Sequence, residues 1–257
     1  MDQVSNGGFL PFSAGGILSP LPGELARNYG PCDYDVRHNF NAQYVYQLPV
    51  KVHSQWLGHF VNGWQVSGTV FWHGGVPFSV FSTPYSANGN GIVQGSGLQL
   101  ANLVPGVDPY CRHCNIPGVT QPGTVQWLNP AAFASVVDPS TGACLGGDTP
   151  ANCQFGNSGR NQFRGPGFFW SDMYLTKRIP LREKLTMRLD AQFFNLFNHP
   201  NFGLPSMVLA GVPGKPSTQT GFGALTYTTS PPTGLLGVGL GGDSSPRMIA
   251  FQARLEF

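Results

Sequence analysis

The chain has 257 residues, of which only 10% are charged, with 35 Gly, 23 Pro and a net charge of +2. An ordinary soluble domain carries about 25% charged residues, and here uncharged polar residues replace them while mean hydropathy stays at −0.08. Long helices, simple disorder and a basic nucleic-acid footprint are thereby excluded, and a β-rich chain with long loops remains.

Met1 to Ser13 (MDQVSNGGFLPFS) lacks the basic n-region and apolar core of a signal peptide, and no apolar run approaches the roughly 18 residues of a membrane helix. Residues 1–34 read as a loop, the remnant of a preceding extracellular segment. The first strand is Phe40 to Leu48 (FNAQYVYQL), with Phe40, Ala42, Tyr44, Tyr46 and Leu48 on one side and Asn41, Gln43, Val45 and Gln47 on the other. Alternation with period two is the mark of a strand whose two faces meet different surroundings. After a fairly short connection, Pro49 to Gly63, the same pattern returns in Trp64 to His73 (WQVSGTVFWH).

Residues 81–165 then read as one long loop, and four of the five cysteines lie within it. Cys111-Arg112-His113-Cys114 is a CxxC motif, but Pro109 and Pro117 place it in a loop rather than at the helix start that activates a redox thiol, and Asn115 stands where haem attachment needs histidine. Zinc needs a second pair at suitable spacing, for which Cys144 and Cys153 are awkward. An export-like context favours two local disulfides, Cys111 with Cys114 and Cys144 with Cys153, leaving Cys32 odd. Arg160 and Arg164 in GNSGRNQFRGPG are candidates to bind an anionic ligand or lipopolysaccharide; the alternative is that they satisfy backbone carbonyls where a strand begins.

Ser171 to Ile179 (SDMYLTKRI) and Leu185 to Phe197 (LTMRLDAQFFNLF) form the next two strands, joined by a tight charged turn, Pro180 to Lys184. Lys177 breaks the apolar row of the first. Their polar sides carry Asp172, Arg178, Arg188 and Asp190, which a sandwich core does not tolerate unpaired and a water-filled lumen does. A second long loop, Pro200 to Pro246, precedes the terminal strand Arg247 to Phe257 (RMIAFQARLEF), where Ile249, Phe251, Ala253, Leu255 and Phe257 oppose Ala250, Gln252, Arg254 and Glu256. A tilted membrane strand needs about 9 to 11 residues. Short turns at one end and long loops at the other match the build of outer-membrane barrels, whose long loops lie outside the cell. Aromatic residues near the strand ends, Trp64, Trp72, Phe168, Phe169, Trp170, Phe193, Phe197 and Phe202, fit interfacial girdles.

No catalytic constellation emerges. The six histidines are scattered without ligand spacing, Ser158 lacks the GxSxG setting of a nucleophile, Asp33 and Asp35 have no pocket placing them across a substrate, and the GxGxxG from Gly237 to Gly242 is followed by no helix. The expectation is a non-enzyme with no cofactor and no metal.

Asp35 to Leu48 (DVRHNFNAQYVYQL), Asn62 to Phe78 (NGWQVSGTVFWHGGVPF), Gly156 to Gly167 (GNSGRNQFRGPG), Ala191 to Gly203 (AQFFNLFNHPNFG) and RMIAFQARLEF resemble, in order, successive blocks at the end of the Oar-like TonB-dependent receptors. That resemblance implies an all-β fold: the last five strands of a transmembrane antiparallel barrel of about 22 strands, hence an incomplete barrel, a curved open sheet with long extracellular loops. On this reading residues 35–257 are the carboxy-terminal segment of a receptor barrel, with 81–165 as its large loop, in the cell outer membrane. The signal peptide, plug and TonB box of the family are absent, so the chain is expected to be a fragment whose parent imports a ligand across the outer membrane. Its implied partners are outer-membrane lipids, the barrel assembly machinery through Leu255 and Phe257 as assembly signal, TonB only through the missing plug, and an unidentified transported ligand, with no nucleic acid. A secreted or surface-displayed β-rich binding or adhesion module is the alternative.

Overall fold

The computed structural model describes residues 29–32, 35–82, 99–111, 123–134, 156–183, 185–209, 221–229 and 246–257. Cys114, Cys144, Cys153 and the glycine run 237–242 lie outside the described residues. The chain divides into two compact units, Arg37–Gly74 with Gly167–Asn201 and Ser244–Phe257, and Met1–Val36 with Gly75–Pro166 and Phe202–Asp243.

The first unit is one open antiparallel sheet of five strands in sequence order: β1 (Asn39–Gln47), β2 (Trp64–His73), β3 (Phe168–Arg182), β4 (Leu185–Phe194) and β5 (Met248–Glu256). All five strands anticipated from alternation are present. β3 is longer than its alternating core: it begins with the aromatic run Phe168 to Trp170, paired to the end of β2, and continues through Pro180. Proline donates no ladder hydrogen bond, and the register slips between Pro180 and Arg182, so a bulge lets the strand run past it. Within the expected Pro180 to Lys184 turn, β3 accordingly runs on to Arg182, and β4 begins at Leu185. β4 stops three residues early because Asn195 turns into the left-handed region (φ 48°) and closes a tight loop, its side chain accepting the His199 N–H at 3.0 Å. Asn tolerates that conformation better than most residues.

The β1–β2 connection contains an element that alternation did not show, a short helix α1 (Gln55–Val61). Asn62 closes it, its side chain accepting from Val52 N at 2.8 Å and donating to Val52 O at 3.0 Å. Gly63 follows at φ +78°, which returns the chain to the sheet and suits glycine. Gly68 sits opposite Tyr44, whose ring occupies the space that a Cβ would take.

The second unit gives the long connections short strands and a core of their own. Two-residue strands pair Pro77–Phe78 with Phe163–Arg164, Asn102–Leu103 with Phe133–Ala134, and Val125–Gln126 with Ala224–Leu225, while Phe81–Ser82 lies between Gln99–Leu100 and Val208–Leu209. They surround a core containing Phe78, Val80, Leu128, Phe133, Phe163 and Phe222, each at most 2% exposed. Phe133 is its hub, edge-on to Phe163 at 5.3 Å and to Phe222 at 5.5 Å between ring centroids. Gln126 stitches the core from within by donating to the carbonyls of Leu128 and Phe222.

Replacing Phe133 by Ala is expected to cost this unit about 3 to 5 kcal/mol, the usual range for a buried aromatic ring. A urea titration followed by near-ultraviolet circular dichroism reads that loss, and an unchanged midpoint contradicts the central role of the ring. Burial pushes the Tyr227 phenol above its ordinary value, against the opposing effect of the Leu204 N–H that its oxygen accepts. A raised folded-state value means that the contribution of Tyr227 to stability is intact below about pH 10 and is lost as pH climbs through the folded value. The difference in phenolate absorbance between wild type and Tyr227→Phe is therefore expected to appear later than for free tyrosine; ionisation at the ordinary value overturns the assignment.

Candidate functional site

Cross-strand partners share a face, so the registers sort every side chain of the sheet into one of two walls. Phe40, Trp72 and Phe169 form one row, Tyr46, Val66 and Leu175 another, and Ala191 with Phe251 and Met187 with Leu255 extend the same wall across β4 and β5. This wall is apolar and largely open: Tyr46 is 59% exposed, Ile249 51% and Phe251 82%. A contiguous apolar surface of this kind marks contact with something other than water.

Within this wall stands one lysine, Lys177, only 4% exposed, while Arg182, opposite Leu185, lies at its end beyond the bulge. Its ammonium donates to the carbonyls of Phe60, at 3.0 Å, and Asn62, and stands 5.1 Å from the centre of the Trp64 ring. The two carbonyls lie at the end of α1, where a helix leaves acceptors open, and the indole face attracts a cation. The residue that interrupts the apolar row is thus led away from it.

The opposite wall is polar. Asp172 accepts from the Trp170 indole at 2.7 Å and from Asn195 N at 3.0 Å. Thr176 donates to Asp190 at 2.5 Å, and Arg188 makes an ion pair with Asp190 at 2.9 Å. The registers also bring together what no single strand shows: Arg178 faces Arg188, and Arg188 faces Arg254, a row of three guanidinium groups. Like charges directly opposite repel, and Asp190, one pair along, supplies the compensating charge. At the same end of the sheet a cavity of about 520 Å³ is lined by Lys51, His53, Asn62, Trp64 and Arg178. One apolar wall and one charged, hydrogen-bonded wall on the same strands separate lipid from water.

The model of the outer membrane beta barrel domain family matches residues 1–236. The chain belongs to that family. This outer-membrane β-barrel chain resides in the outer membrane, which accounts for the exposed apolar wall. No curated protein and no solved structure matches it.

The other candidate residues of the barrel chain fall as follows. Arg164 directs its guanidinium to the carbonyls of Asp35, at 2.5 Å, and Gly75, at 3.2 Å, and to the Asp35 carboxylate. Arg160 is 5% exposed. Cys111 is disulfide-bonded and Cys32 is a free thiol. Leu255 stands on the apolar wall opposite Met187, and Phe257 is fully exposed beyond the last paired residue. Among the described residues no group of three or more His, Cys, Asp or Glu side chains could hold a metal ion, and no helix is long and apolar enough to cross a membrane. Sequence reasoning missed α1 and the arginine row. Trp56, Leu57 and Phe60 at helical spacing signal the helix; the row depends on register and has no signal within a strand.

Asp190→Asn removes the ion pair with Arg188 and, with it, the buried carboxylate beside the arginine row. It is expected to destabilise the sheet by about 2 kcal/mol, the scale of a hydrogen bond to a charged group. The temperature at which the folded, fast-migrating band is lost on semi-native electrophoresis measures the effect, and no change assigns the compensation elsewhere.

Proposed function

We propose that the five-stranded sheet is the closing part of a TonB-dependent receptor barrel of the Oar-like kind, and that the complete barrel imports a ligand across the outer membrane. The observation that carries this reading is the coincidence of the five resembling blocks with the built parts of the chain. Four of them take in β1, β2 with Pro77–Phe78, the last four residues of β4 with its Asn195 turn, and β5; the fifth, residues 156–167, holds the Arg164 network.

The open sheet supports it. β1 and β5 each pair on one side only among the described residues, and each unpaired backbone group in hydrocarbon costs several kcal/mol, so further strands must flank both edges. A polar inner wall with a basic row then faces a lumen. Substrate import needs no catalytic group on this chain, and no enzymatic role is assigned to it. Outer-membrane lipid, the assembly machinery and, through a plug domain, TonB are the partners of this reading.

Mild-detergent extracts of the producing cell's outer membranes are expected to contain the chain in a heat-modifiable species that the periplasmic domain of TonB captures. Recovery from the culture medium as a freely soluble monomer that folds without detergent overturns the reading in favour of a surface or secreted binding module.

A further inference from the structure

We propose that α1 is an interfacial anchor that lies in the headgroup region of the periplasmic phospholipid leaflet, its occupant being anionic phospholipid. Trp56, Leu57 and Phe60 are 83%, 58% and 71% exposed. At about 100° per residue they fall on one arc of the helix. Gly58 points the other way, toward the chain's own Val52 carbonyl and Asn62 side chain. The helix therefore turns its Gly58 side inward and presents two aromatic rings and a leucine outward.

What covers them follows from continuity with the lipid-facing wall. Trp64, the first residue of the apolar row of β2, donates its indole N–H to Phe60 O at 2.8 Å, and Lys177, from the apolar row of β3, donates to the carbonyls of Phe60 and Asn62. These bonds fasten the helix end to the wall that faces lipid. α1 lies in a short connection, and short connections of such barrels are periplasmic, where the leaflet is phospholipid. Aromatic side chains collect at that depth, and short amphipathic helices lie there with their apolar arc buried. Charge agrees: between Pro49 and Gly63 stand Lys51, His53 and His59 and no acidic residue, a balance that favours anionic headgroups. The inference rests on the outer-membrane placement and not on the identity of the transported ligand.

The test is fluorescence quenching of the full chain, extracted from outer membranes and reconstituted into phosphatidylethanolamine–phosphatidylglycerol vesicles with acyl chains brominated near the headgroup. Difference spectra against Trp56→Phe isolate the Trp56 emission, and those against Trp72→Phe isolate a reference on the sheet's apolar wall. The expected result is strong quenching of both components by brominated lipid and loss of iodide quenching for Trp56, greater with phosphatidylglycerol than without it. Quenching of Trp72 by lipid with Trp56 open to iodide overturns the anchor while leaving the barrel wall intact. Lipid quenching of neither overturns both. Phe60→Ser, which leaves the helix backbone and the Lys177 contacts in place, is expected to return Trp56 to iodide; unchanged protection assigns it to protein and overturns the anchor.

Discussion

A strand in hydrocarbon cannot turn to water for hydrogen bonds, so every N–H and C=O along it must be met by the neighbouring strand. All else in the sheet depends on that constraint. It holds the five strands in an antiparallel ladder whose registers run unbroken over most of their length, and the ladder in turn fixes which side chains share a wall. A slip by one residue anywhere would carry Asp172 or Arg188 to the lipid side and Met173 or Leu189 to the water side. Pro180 shows the constraint at work: the one residue that cannot donate lies near the turn, next to the only register shift in β3.

Charge in this setting is handled by geometry more than by number. On the apolar wall a lysine is led to the open carbonyls of a neighbouring helix and an indole face, needing no carboxylate to hold it. On the polar wall three arginines stand in line, and a single buried aspartate, bonded also to Thr176, stands beside them. The two arrangements share a physical logic: the cation is kept where its hydration is replaced by fixed dipoles or an anion, because leaving it bare costs more than the fold can supply.

The strands were legible because their signal is local. Period-two alternation in WQVSGTVFWH or RMIAFQARLEF needs no partner to be seen, and β2 is found at the residues expected. Ends were less legible, since they depend on single conformations: Asn195 in the left-handed region ends β4, and the slip at Pro180 lets β3 run on. The arginine row and the role of Lys177 were hidden because they arise between strands, and one sequence carries no register. Hardest to read were the long connections. Their strands are two residues long, too short for any period, and their core residues Phe78, Phe133, Phe163 and Phe222 come from four distant stretches that look like loop composition.

That shared core changes how the long connections can vary. Phe133 touches rings from two other stretches, Gln126 bonds across to Phe222, and Arg164 holds the carbonyl of Asp35 from the far side of the sequence. In a surface made of independent loops, each can lengthen, shorten or drift in sequence while its neighbours stay as they are. Here an insertion beside any one of these residues shifts the contacts of the others, so the loops are bound to diversify together, as one inherited body, and new shapes must come from the stretches between the anchored residues.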